Sequence, residues 1–172
     1  MPNDAGDTTE RSDLVEALDT HRRFLRFTVR DLSDEQARQR TTASALSLAA
    51  ILKHVAAIER QWVDFIIHGP EAMGGSSEDA IAGYIATFDL ETEDTLESLL
   101  NRYDEVAKRT DDLVLSMSSL NDSQLLPPAP WFEPGSRRSA RRTLLHIIAE
   151  TAQHAGHADI IRESLDGAKT MG

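Results

Sequence analysis

Histidines and one glutamate are the side chains of this 172-residue chain best placed to do chemistry. His146, Glu150, His154 and His157 stand at i, i+4, i+8 and i+11, which is one stripe if the segment is helical. Glu150 and His154 are one turn apart, so both can reach a single point. His54 stands on the apolar stripe of an earlier segment. Two imidazoles and a carboxylate facing one another between packed helices could hold a divalent metal through three ligands. Such a set leaves positions open for water or substrate, as catalytic zinc sites do. The same donors suit non-haem iron(II), and nickel or manganese as well. The plain alternative is that these are ordinary polar residues. A lone buried histidine is commonly a hydrogen-bonded core residue, and a Glu and a His on one face can simply pair. Burying Glu150 without a cation or strong donors is costly, so burial of the group separates the two readings.

Other chemistries are excluded. The chain has no cysteine, which removes disulfides, CxxC motifs, thiolate ligands and a cysteine nucleophile. Any reacting thiol must come from another molecule. The residues three before each histidine are Leu18, Ile51, Phe65, Thr143, Thr151 and His154. None is Glu, so the paired E-x-x-H motif of di-iron bundles is missing. There is no G-x-S-x-G elbow, no G-x-G-x-x-G and no G-x-x-x-x-G-K. With 18 basic and 29 acidic residues the net charge is −11, which repels a phosphate backbone and predicts no nucleic-acid binding. No apolar run approaches the ~18 residues of a membrane span. The opening MPNDAGDTTERSD is polar and acidic, without the apolar core of a secretion signal. The expectation is a soluble, cytoplasmic protein.

The elements that must position the candidates are all helical. Aromatics are 5%, no stretch alternates with period two, and Gly and Pro concentrate at 69–75 and 127–135. A first helix is predicted over 13–30, with Leu14, Leu18, His21 and Leu25 inward, after a flexible tail at 1–11. A second is predicted over 45–67, capped by Ser44 and ended by Gly69-Pro70. Its stripe is Leu46, Ala50, His54, Ala57, Ile58, Gln61 and Phe65. A third, over 91–118, carries Leu96, Leu99, Tyr103, Val106, Thr110, Leu113 and Met117, a heptad seam. A fourth, over 138–165, stops at Gly167. A short helical turn is expected near 78–87, and prolines keep 119–137 irregular. The reading is an all-α, single-domain, four-helix bundle spanning 1–172.

The stretch ETAQHAGHADIIRESLDG, residues 150–167, resembles the last helix of the DinB-like superfamily. More narrowly it resembles the actinobacterial branch that includes the mini-circle protein. LSLAAILKHVAAIERQWVDFIIHG, 46–69, is similar to that branch's second helix, and HRRFLRFTVRDLSDEQ, 21–36, to its first helix and the following turn. An excess of arginine over lysine, 15 to 3, fits a GC-rich genome. The resemblance implies an up-down-down-up bundle with a metal near its axis. One histidine from the second helix and an H-x-x-x-H pair from the fourth hold it. That pattern falls on His54 and His154, with Glu150 where a histidine is common. Mycothiol-dependent maleylpyruvate isomerases, similar to this superfamily, also use Glu there, with zinc. His157 stands where many relatives carry Gln, and is expected to orient a ligand, relay a proton or serve as an alternative ligand.

The resemblance therefore implies a divalent-metal-dependent transferase, with zinc the expected metal and mycothiol the expected co-substrate. Its partners are a small-molecule thiol and an electrophile. Two alternatives stay open: a non-catalytic, metal-binding stress-response bundle, for which a homodimer is one form, and a metal-dependent hydrolase of a small molecule. Arg137, Arg138, Arg141 and Arg142 crowd the start of the fourth helix, where the dipole disfavours cations. They either receive a carboxylate of thiol or substrate or pair with the acidic surface. Arg138 and Arg142 are the substrate-binding candidates, joined by Trp131, which with Phe132 either covers a pocket from the proline-rich loop or packs against the bundle. Trp62 and Tyr103 are expected to be structural, His21 a core histidine, and His68 a helix C-terminal residue.

Overall fold

The computed structural model describes residues 4–74 and 77–170. Four long helices carry most of them: α1 Asp4–Thr28, α3 Leu48–His68, α5 Leu96–Ser116 and α6 Ala140–Asp166. Two short ones, α2 Asp34–Ala37 and α4 Ser77–Ala86, lie in the connections. The chain is mostly helical, as its composition predicts. The exception is a two-stranded antiparallel ribbon, β1 Ser123–Leu125 against β2 Arg137–Ser139, with Gln124 opposite Arg138. Period-two alternation cannot be seen in three-residue strands. The ribbon takes Arg138 and Ser139 out of the predicted fourth helix.

Local chemistry sets the other boundaries. Ser47, rather than Ser44, caps α3 by accepting a hydrogen bond from the Ala50 N–H at 3.3 Å, while Ser44 accepts from Leu46 in the preceding loop. The helix ends at Gly69, whose φ of 76° is left-handed backbone that suits glycine. Thr95 caps α5 and Ser139 caps α6. The first helix begins at Asp4, so residues 4–11, expected as a loose tail, are helical, with Glu10 paired to Arg141. Residues 1–3 of that expected tail lie outside the described residues.

The helices meet through two apolar clusters. Leu25, Val29, Leu48, Leu52, Tyr103 and Ile161 belong to one, and Leu18, Trp62, Phe65, Val114, Leu144 and Ile147 to the other. The starts of α1 and α6 lie together through Glu10–Arg141. Their ends lie together through Arg162, which donates to the carbonyls of Thr28 and Arg30 at 2.7 Å each. In contrast, the starts of α3 and α5 join the cluster at the ends of α1 and α6. The buried face of α5 is Leu96, Leu99, Tyr103, Ala107, Thr110 and Val114. Its steps of 3, 4, 4, 3 and 4 average the 3.6 of a straight helix. The predicted heptad seam therefore drifts off Val106 and Leu113 in the second half.

A polar group is buried between the clusters. Arg22, 1% exposed, donates to both carboxylate oxygens of the fully buried Glu59 and, at 2.8 Å, to Asp111. Thr110 donates to Glu59 at 2.6 Å. This corrects the expectation for His21: Arg22 occupies the inward stripe, because Glu59 supplies a buried partner, and His21 lies half-buried beside it.

Candidate metal centre

His54 lies two turns into α3 and is completely buried. Glu150 and His154 project from α6, their side chains 26% and 15% exposed. Packing of α3 on α6 brings the three together: one ligand atom from each lies within 4.8 Å of the others. The His154 Nε2 to Glu150 Oε2 distance is 3.6 Å, and the two imidazole centres are 4.8 Å apart. A tetrahedral ion with bonds of about 2.1 Å holds its ligands about 3.4 Å apart. Side-chain adjustments of about an ångström would close the group around one.

The segment following α3 completes the site. The Thr87 hydroxyl donates to the Tyr84 carbonyl and lies 2.6 Å from His54 Nδ1. A hydroxyl has one proton. With that proton committed to Tyr84, His54 Nδ1 must be the donor to Thr87, and the lone pair falls on Nε2. Nε2 is buried and has no hydrogen-bond partner among the described residues; His154 Nδ1 is in the same state. A second hydrogen bond that fixes the tautomer is the usual support of a metal-binding histidine. Phe88 stacks on the His54 ring at 3.8 Å, and Tyr84 meets its edge at 5.1 Å.

Electrostatics follow from this enclosure. Burial, and then the charge of His154, push the His54 pKa down to about 3, so its ring is neutral at pH 7. Burial, then His157, lowers His154. Burial raises Glu150. Each group is held away from its charged form by desolvation. A cation is the partner that would reverse this for the carboxylate while using the neutral imidazoles as donors. The orphaned nitrogens and the N/O donor set fit a divalent ion.

The other sequence candidates divide by position. His157 is half-buried and close enough to influence His154. His146 lies 3.9 Å from Glu150 and edge-on to Trp62 at 4.8 Å, its pKa pushed down to about 4 by burial and by Arg138 and Arg142. A cavity of about 410 Å³ opens beside Glu150 and His146, and Trp131, Trp62 and Arg138 line it. Arg142 is exposed on the first turn of α6 and is not in that wall. Arg141 is taken by Glu10 and Asn121, and Arg137 by Ser123. Trp62 is buried as expected, yet also forms part of the cavity. Thr87, Tyr84 and Phe88 were not legible as site residues. Their one sequence signal is an aromatic pair four apart, in a stretch broken by glycines.

The family model described as Mycothiol-S-transferase matches residues 13–167. No curated protein matches the chain.

Proposed function

Because the chain belongs to the mycothiol S-transferase family, a DinB-like family, we propose that it joins the sulfur of mycothiol to a small electrophile at a divalent metal, zinc, held by His54, Glu150 and His154. The observation that carries this is the buried, unpartnered Nε2 of His54, its lone pair set by Thr87, beside a carboxylate and a second imidazole. A divalent cation there would lower the pKa of a thiol beside it, giving a thiolate near neutral pH.

The chain's own residues do the rest. His54 and His154 stay neutral and present nitrogen lone pairs. Glu150 offsets the cation's charge. His157, beside His154, takes the thiol proton on its imidazole. The thiolate forms the new carbon–sulfur bond, and the leaving group departs with its electron pair. Trp131 and Arg138 hold the acceptor, with Arg142 adding positive charge nearby. The long helices support this as an up-down-down-up four-helix bundle: α1 and α6 run one way, α3 and α5 the other. Among the described residues no helix is long and apolar enough to cross a membrane, and we read the enzyme as cytoplasmic.

The test mixes protein, mycothiol and monochlorobimane, and follows the fluorescent thiol adduct as chloride is displaced. Zinc-loaded protein should exceed chelated protein and the His54→Ala variant. Equal rates in all three would overturn the reading. Turnover without added thiol would redirect it to hydrolysis.

A further inference from the structure

We propose that the cavity beside the metal site is the acceptor pocket, and that it takes an apolar ring compound bearing one carboxylate, received by Arg138. The word acceptor rests on the thiol-transfer reading; the binding claim rests on the cavity alone. Its volume, about 410 Å³, falls within the roughly 300–1,000 Å³ of small-molecule sites. Its wall is largely aromatic and aliphatic, with Trp62, Trp131, Phe132, Tyr84, Ile58 and Pro127 among the lining residues. A sugar-linked thiol would leave its hydroxyls unpaired against such a wall. A flat apolar molecule buries against it favourably.

Arg138 supplies the polar end. Strand β2 sets its guanidinium 4.5 Å above the Trp62 ring centre and 5.5 Å from that of Phe132. These ring contacts hold the charge in place without being hydrogen bonds to its N–H donors. Nη1 is buried with no hydrogen-bond partner among the described residues. A buried donor of a charged group without a partner is costly, and a carboxylate is the ligand whose geometry matches the guanidinium fork.

Both tryptophans of the chain line this cavity, so intrinsic fluorescence reports its occupancy. The experiment titrates zinc-loaded protein with 4-phenylbutanoate and with the isosteric 4-phenylbutanamide. The carboxylate should bind roughly tenfold more tightly, as a charged hydrogen bond predicts. Arg138→Met should erase that preference and spare amide binding; Arg138→Lys should keep part of it. Equal affinities in the wild type would overturn the proposal. So would a preference that survives Arg138→Met but disappears on chelation, which would assign the carboxylate to the metal. If Arg138→Met fails to fold, by circular dichroism, the wild-type pair and Arg138→Lys decide. None of these readouts requires turnover, so failed thiol transfer and failed carboxylate binding are separate results.

Discussion

Two buried polar clusters share helix α3, and they differ in what they leave unpaired. Around Glu59 the partners close on one another. Arg22 and Thr110 donate to its carboxylate, and Arg22 turns its remaining edge to Asp111. Burial alone would lower the pKa of Arg22, but Glu59 and Asp111 raise it above the ordinary range. Around His54 the partners stop short. Thr87 satisfies Nδ1, while Nε2 and the Nδ1 of His154 are left bare. Burial penalises charge in both, although Glu150 and His154 keep some exposure. A saturated buried network fixes how helices pack, whereas an unsaturated one has donor atoms to offer the metal proposed above. The distinction lies in the hydrogen bonds, since both clusters are buried and both mix acid with base.

The largest expected effect tests the closed cluster. Glu59→Ala leaves Arg22 buried with only Asp111, and should lower unfolding free energy by about 3–5 kcal/mol. Zinc stoichiometry of the folded fraction should not change. Urea unfolding and elemental analysis measure the two. A mutation there that removed zinc but spared stability would reverse the assigned roles. Next is the open cluster. His154→Ala should weaken zinc binding by about two to three orders of magnitude, the share of one ligand in a site of this type. Stability without metal should hold or rise, because an orphaned buried nitrogen is removed. A melting scan with and without zinc should show a metal-dependent rise in the wild type only. A metal-free variant much less stable than the metal-free wild type would make His154 structural and collapse the contrast.

The same contrast explains what the sequence could disclose. Periodicity locates the four long helices, and the four-residue spacing of Glu150 and His154 by itself puts them on one face. His54 was reachable because its stripe is apolar apart from Gln61. Arg22 was not, since a stripe rule prefers His21 and cannot foresee that Glu59 lies opposite. Thr87 was hidden for a related reason. Its contact with His54 spans 33 residues, through a glycine-containing connection with no repeat to fix a register. The β1–β2 ribbon escaped because strands of three residues carry no period, so the position of Arg138 over Trp62 was out of reach. Intrahelical spacing is written in the chain, whereas partners across connections are set by packing.

Thr87 offers a finer test of the open cluster. Thr87→Val keeps the shape and removes the oxygen that holds His54 Nδ1–H. The tautomer is then free to switch, and zinc affinity should fall about tenfold, at the low end for groups that orient a ligand. Thr87→Ser should restore it. Competition with a chromogenic chelator measures both without reference to turnover. An unchanged affinity in Thr87→Val would mean that Phe88 and Tyr84 alone fix the ring.

The smallest effect belongs to a second closed cluster, next to the site on α3. Asp94, its side chain 2% exposed, accepts from Lys53 at 2.8 Å and Arg102 at 2.6 Å. Burial would raise its pKa, but Lys53, the Glu91 backbone N–H and Arg102 outweigh it and hold the carboxyl down to about 2. Asp94 thus binds its proton more weakly folded than unfolded. It contributes stability above the unfolded pKa of about 4, and that contribution is lost as pH falls through about 2. Arg102 is half exposed, so solvent screening trims the effect to about 1–2 kcal/mol. Asp94→Asn should therefore be less stable than wild type at pH 7 by that amount in urea, and the gap should narrow steadily below pH 4. A gap that stayed constant to pH 2 would mean that Asp94 acts by shape and neutral hydrogen bonding, and that charge is not what closes this cluster.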